Sequence, residues 1–151
     1  CNDLGFGGAG VIMAIKNRYP NVYNEYEKWF KHGYYLSDNK KYIKARIGEI
    51  QVIPVEGAIS AVCNAITQRG VGIDRWGYIP FRYESFRECM CKLNDYILHN
   101  SYNRLILPRI GAGLASAKWD VVESIINKNI TVPVTVYDLP NENWDNTNYE
   151  N

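Results

Sequence analysis

Histidine is almost missing from this chain. His32 and His99 are its only two and stand in unrelated contexts, which excludes a histidine-rich metal site and most histidine-based catalytic triads. Cysteine is scarce as well, with four in 151 residues. Cys89 and Cys91 are too close together for a secreted disulfide framework, so a reducing, cytoplasmic compartment is the expectation. An excess of one charge is also lacking. Seventeen basic residues against sixteen acidic ones give a net charge of +1, and no basic stripe stands out, so no electrostatic footprint for nucleic acid is expected. No apolar run approaches the roughly 20 residues that span a bilayer, and a soluble protein without membrane contact is expected. The chain opens on Cys1-Asn2-Asp3, with no Met and no secretory n-region or h-region. A glycine loop follows at once, and the strand expected before it is assigned upstream of this numbering.

What remains is an ordinary globular composition, 46% hydrophobic and 22% charged, in a one-domain length. A compact chain of this size buries roughly 70% of its unfolded surface, enough for a core without staples. Apolar residues at Val11, Ile12, Ile15 and Tyr19 recur at helical spacing, and Val22, Tyr26, Trp29 and Phe30 give a second helix with Pro20 in its first turn. The basic, Tyr-rich stretch 31–46 has no clear period and reads as loop or irregular hairpin. Residues 49–55 read as a strand with Pro54 near its end, and 59–66 as a small, apolar strand covered on both faces. Tyr83, Phe86, Met90, Leu93 and Ile97 space out a long helix. A strand at 104–108, a helix around Trp119, Val122, Ile125 and Ile126, and a strand at 132–137 complete the series. Strands alternate with helices, so the class is α/β, a mostly parallel or mixed sheet with helices on both faces. The domain is expected over 1–140, with a polar tail over 141–151.

Two glycine loops sit where strands lead into helices, Gly5 to Gly10 and Gly111 to Gly113. Such junctions expose main-chain N–H groups at the positive end of a helix dipole, and glycine lets a phosphate approach without a side chain in the way. Ligands of open α/β sheets lie beyond the carboxyl ends of the strands, so two such loops suggest a diphosphate held between them. Tight turns alone would also use glycine. Gly5-Phe6-Gly7-Gly8-Ala9-Gly10 satisfies G-x-G-x-x-G, but Glu25 and Glu27 fall in a helical pattern rather than at the end of a second strand, which disfavours a dinucleotide site of the Rossmann kind.

The run from Cys1 to Gly10, continuing through Lys16, Arg18, Tyr19 and Pro20, resembles the first signature of macro domains. Leu107-Pro108-Arg109-Ile110-Gly111-Ala112-Gly113-Leu114 resembles their second loop, and Val134 to Leu139 their closing strand. Asn64 to Gly70 and Arg82 to Ser85 are similar to segments of the branch holding ADP-ribose-1''-phosphate phosphatases and some ADP-ribosyl hydrolases. The resemblance implies a three-layer α/β/α sandwich with a mixed sheet and a monomer that takes ADP-ribose or a derivative. No cofactor or metal is implied, and nucleic acid only as a modified substrate. It implies Asn2, Gly8, Ala9 and Gly10 around the distal ribose and diphosphate, Gly111, Ala112, Gly113, Leu114 and Ala115 as the second phosphate loop, and Tyr137 and Asp138 beside the adenine. The family's adenine-selecting acid lies upstream of this numbering. One hydrolase group pairs a lysine after the first loop with an aspartate beyond the second; Lys16 matches the lysine, but Ala115 stands in the aspartate's place. Asp3 is the acid next to the first loop and, if it points into the crevice, can orient water or take its proton. The catalytic candidates are therefore Asp3, Asn2 and Lys16.

Gln68 and Arg69 end a buried strand on the ligand side, and Gln68 is a polar candidate there. Arg109 either closes the phosphate end or pairs beneath the loop. Tyr34, Tyr35 and Tyr42, interleaved with lysines, resemble a single-strand stacking platform, set aside because the chain is so nearly neutral. Three functions follow: an ADP-ribose-1''-phosphate phosphatase, a non-catalytic reader of ADP-ribose-derived ligands, and a hydrolase of ADP-ribosylated protein or nucleic acid.

Overall fold

Two helices in close succession build the first layer. The structure is a computed structural model that describes residues 1–5, 7, 10–35, 41–111, 113 and 115–138. Helix α1 (Val11–Arg18) starts behind Gly10, and α2 (Pro20–His32) follows after the single residue Tyr19. Proline's fixed φ and missing donor suit that first turn. Val22, Tyr26 and Trp29, spaced by four and three, form the buried face of α2. Gly33 ends the helix at φ 67°, and the chain returns as a short antiparallel hairpin, β1 (Tyr34–Tyr35) and β2 (Tyr42–Ile43). Of the basic, Tyr-rich stretch, residues 34–35 and 42–43 are thus paired strands, and 36–40 lie outside the described residues.

Strands β3 (Ile50–Pro54) and β4 (Ala61–Ala65) pair antiparallel, with Ile50 opposite Ala65 and Pro54 opposite Ala61. Both are shorter than their apolar runs, because residues 55–60 turn the chain between them. Helix α3 (Tyr83–His99) leads to β5 (Leu105–Pro108), and α4 (Trp119–Asn129) crosses over to β6 (Val134–Tyr137), which runs parallel to β5. Parallel neighbours need such a crossover, and the pairing overall is mixed. Gln68 carries two isolated bridges, parallel to Asn2 and antiparallel to Phe81.

The period of two along β4 sorts side chains between two cores. Cys63 and Ala65 pack with Phe86, Met90 and Leu93 of α3 and Val122 and Ile126 of α4, whereas Ile66 packs with Tyr26 and Trp29 of α2. Helices therefore cover both faces of the strands. On the α2 side two buried amides replace apolar contact: Asn64 Nδ2 donates to Gln51 Oε1 at 3.1 Å, and Gln51 Nε2 donates to the Glu25 carbonyl of α2 at 3.0 Å. With these bonds made, the polar pair fastens helix to sheet. Truncating fully buried Phe86 to Ala would cost about 3–5 kcal/mol. Among the described residues no helix is long and apolar enough to cross a membrane. The tail assigned to 141–151 lies outside the described residues.

Candidate functional site

The first loop grows out of strand pairing. Thr67 and Gln68 donate their N–H groups to the Cys1 carbonyl at 2.9 and 3.1 Å, and Asp3 N–H donates to the Gln68 carbonyl at 2.9 Å. Asn2 is 7% exposed and its Oδ1 accepts from Leu4 N–H at 3.0 Å, so its carboxamide shapes the turn from within. Buried Tyr26 hydrogen-bonds the Asn2 carbonyl at 3.4 Å, and its burial pushes the phenol's pKa above the usual tyrosine value. Asp3 Oδ1 accepts from Gly70 N–H at 2.8 Å, tying the first loop to the segment after Gln68. Its Oδ2 has no hydrogen-bond partner among the described residues.

The glycines divide into two kinds. A Cβ on Gly7 would come within 2.6 Å of the Tyr23 ring, and one on Gly111 within 2.8 Å of both Ala117 Cβ and the Phe81 ring. Those two make close packing possible. A Cβ on Gly10 or Gly113 would meet nothing within 4 Å. Among the described glycines of the two loops, Gly5, Gly7 and Gly111 thus lie against side chains, and Gly10 and Gly113 against open space. Gly10 (φ 73°) precedes α1, which has no side-chain cap and no acid in its first turn, leaving the helix's positive end to the loop. The second loop departs from expectation here. It does not open directly into a helix; the residue before α4 is Lys118, whose N–H donates to Tyr83 Oη at 2.9 Å.

The roots of the loops share a junction. Asn2 bridges Gln68, Gln68 bridges Phe81, and the Phe81 ring fills the space behind Gly111. Gln68 contributes its main chain, and its carboxamide has no hydrogen bond among the described residues. Phe81 is the residue that sequence reasoning missed, since nothing local marks a ring that packs beneath a loop thirty positions on.

The remaining candidates fall on the flanks. Exposed Lys16 holds its ammonium 4.2 Å above the Tyr23 ring, the ring that abuts Gly7. Ala115 is 4% exposed within the core, so any contact it makes with a ligand is through its main chain. Arg109 pairs with Asp138 through both carboxylate oxygens, at 2.6 and 3.3 Å, and stacks 5.3 Å over Trp119. Its hydrogen bond and charge hold the Asp138 carboxyl below the usual range. Arg109 is thus engaged with a carboxylate just beyond β6, at an exposed position. Tyr137, at the end of β6, is 59% exposed. Gly8, Ala9, Ala112 and Leu114 lie outside the described residues. Among the described residues no group of three or more His, Cys, Asp or Glu side chains could hold a metal ion.

No protein-family model matches the chain. A macrodomain protein of Streptomyces coelicolor is 31% identical, with a TM-score of 0.71 over 93% of this chain and 84% of that one. The chain belongs to the macrodomain family. Its fold is accordingly the three-layer α/β/α sandwich whose helix-covered faces are described above. A Bacteroides thetaiotaomicron protein of unknown function is 31% identical with a TM-score of 0.78, covering 92% of this macrodomain and 83% of that chain. An ADP-ribose glycohydrolase of Bos taurus, OARD1, is 27% identical over 135 residues, 87% of this chain and 74% of its own. A 17.5 kDa protein of phage T4 is 36% identical over 52 residues, a match spanning 31% of either chain. DarTG of Thermosipho africanus, solved with ADP-ribose, shares the fold at 15% identity and a TM-score of 0.69.

Proposed function

We propose that this macrodomain binds ADP-ribose or a derivative between its two glycine loops and hydrolyses a bond at the distal ribose, with ADP-ribose-1''-phosphate as substrate. The observation that carries this reading is the pair of outward glycines, Gly10 and Gly113, on loops rooted at one junction through Asn2, Gln68 and Phe81. Outward glycines leave main-chain N–H groups accessible to an anion, and the uncapped start of α1 favours negative charge there. In the hydrolytic step a water oxygen bonds to phosphorus, the bond from phosphorus to the ribose oxygen breaks, and the electron pair stays on that oxygen, which takes a proton from solvent to give the free hydroxyl. Asp3 Oδ2 takes the water's proton, while Oδ1 keeps the carboxylate fixed through Gly70 N–H. Lys16 has a lesser role, because its customary acidic partner is replaced by Ala115.

A specific observation favours each alternative. The ADP-ribose glycohydrolase matched over 87% of this chain supports cleavage of an ADP-ribosyl linkage to protein or nucleic acid. The apolar, buried Ala115 supports a non-catalytic reader. One panel separates the three. The protein is incubated with ADP-ribose-1''-phosphate and with ADP-ribosylated protein and nucleic acid, and phosphate and ADP-ribose release are followed. Phosphate release supports the first reading and ADP-ribose release the second. Firm ADP-ribose binding without either product leaves a reader, and absence of binding overturns all three.

A further inference from the structure

The second glycine loop is closed at its neck by a contact between the residues on either side of it. Arg109 follows β5 directly and Trp119 opens α4, and the Arg109 guanidinium carbon lies 5.3 Å from the centroid of the Trp119 ring. The segment 110–118 therefore departs and returns at one point, held by the attraction of a cation for an indole face. Strand β6 supplies the third member. Asp138 comes just after it and takes the guanidinium on both carboxylate oxygens, at 2.6 and 3.3 Å. A forked pair of this kind fixes the orientation of the guanidinium as well as its position. Beyond the neck the backbone is constrained. Gly111 and Ser116 have φ of 78° and 58°, and a serine keeps that left-handed conformation only where its surroundings impose it. Ala117 N–H donates to the Gly111 carbonyl at 2.8 Å and Ser116 N–H to the Gly113 carbonyl at 3.0 Å, so the turn is tied internally as well as at its ends.

We infer that Arg109 is a positioning residue: held by Asp138 against Trp119, it keeps the second glycine loop in the conformation that receives the diphosphate. The inference rests on the proposed ADP-ribose site and adds the group that preorganises one half of it. In this role Arg109 acts through the loop and does not itself touch the ligand. An exposed ion pair adds little to the stability of a domain, and the Arg109 and Asp138 side chains are 37% and 66% exposed. The clamp therefore matters less to whether the chain folds than to how many conformations the loop samples once folded. Affinity falls in proportion to the fraction of molecules that hold the binding-competent conformation, so loosening the neck weakens binding at nearly constant stability. Arginine is required rather than lysine, since an ammonium offers neither the fork for the carboxylate nor the flat face for the indole.

The test pairs ADP-ribose affinity, by isothermal titration calorimetry, with hydrogen–deuterium exchange of the amides over 110–118 in the free protein. Arg109→Lys should weaken ADP-ribose by about three- to tenfold and quicken exchange across that segment, with Tm within about 2 °C of wild type. Trp119 also packs against the core, so its replacement is read as a pair. Trp119→Leu should weaken binding, and Trp119→Phe, which keeps a ring under the guanidinium, should restore most of the loss. Asp138→Asn should weaken binding in the wild-type background and add nothing in the Arg109→Lys background, because Asp138 acts only through Arg109. Firm wild-type binding with unchanged affinity or exchange in Arg109→Lys overturns the inference and leaves the ADP-ribose reading intact. Additive losses from Arg109→Lys and Asp138→Asn do the same. Failure of the wild type to bind ADP-ribose overturns that reading and the inference together.

Discussion

A single methyl group distinguishes the packing glycine of the second loop from the open one. In Gly111→Ala the new Cβ would stand 2.8 Å from Ala117 Cβ and from the Phe81 ring, well inside van der Waals contact. Phe81 cannot withdraw cheaply, since it is 2% exposed and its ring is braced by those of Tyr83 and Phe86, with centroids at 5.3 and 5.4 Å. Overpacking of this kind costs about 1–3 kcal/mol. The backbone at Gly111 has φ 78°, where a side chain adds about 1–2 kcal/mol. Together these predict a loss of about 2–5 kcal/mol, or roughly 5–20 °C in Tm for a domain of this size. Gly113→Ala meets nothing and should leave Tm within about 2 °C of wild type. The binding consequences run the other way. Gly113→Val should stay folded and lose ADP-ribose, because its branched side chain takes the diphosphate's place. Differential scanning fluorimetry with and without ADP-ribose reads both halves. A wild-type Tm for Gly111→Ala would refute the packing argument, and wild-type ADP-ribose affinity for Gly113→Val would remove the second loop from the phosphate site.

Asp3→Ala should lower turnover of ADP-ribose-1''-phosphate by a factor of roughly 10² to 10⁴ with ADP-ribose binding little changed, and Lys16→Ala should have a smaller effect; steady-state phosphate release checks both, and wild-type turnover by Asp3→Ala would exclude it from the mechanism. ADP-ribose should raise Tm much more than NAD at equal excess over protein, by about 2.7 kcal/mol of added stability at a hundredfold excess over Kd, if the proposed site encloses the distal ribose and leaves no room for nicotinamide; equal shifts would sink that proposal. Burial pushes the Cys63 and Cys89 thiols and the Tyr34 phenol up to about 12. All three release their protons more readily once unfolded, so their contribution to stability is intact below about pH 9 and declines as pH rises toward 12. Urea midpoints measured from pH 8 to 11 should fall, and a flat profile would contradict the assignment.

Much of the architecture was legible because it rests on short-range signals. The spacing of Val22, Tyr26 and Trp29, and of Phe86, Met90, Leu93 and Ile97, reads directly as helix faces. The turn at 55–60, which shortens β3 and β4, was less visible, since Ile59 and Ser60 continue the apolar run in composition while leaving the ladder. At the site, local sequence marked both glycine loops but not the division of labour within them. Whether Gly111 or Gly113 faces the core depends on Phe81 and Ala117, which arrive from elsewhere in the chain. The same holds for Asp3, whose nearest donor, Gly70, lies 67 positions away.

The junction at Gln68 has a consequence for how this fold would respond to a mutational scan. Its N–H donates to the Cys1 carbonyl and its own carbonyl accepts from Asp3, so what the architecture requires of this position is a peptide unit rather than a carboxamide. Replacing the side chain with almost any other should leave folding untouched, and the position would look permissive in a library of variants. Proline, which removes the donor, is the substitution that would expose it, by separating the root of the first loop from the strand beside it. A position that tolerates nineteen residues and fails with the twentieth holds its information in the main chain, where a comparison of side chains does not register it.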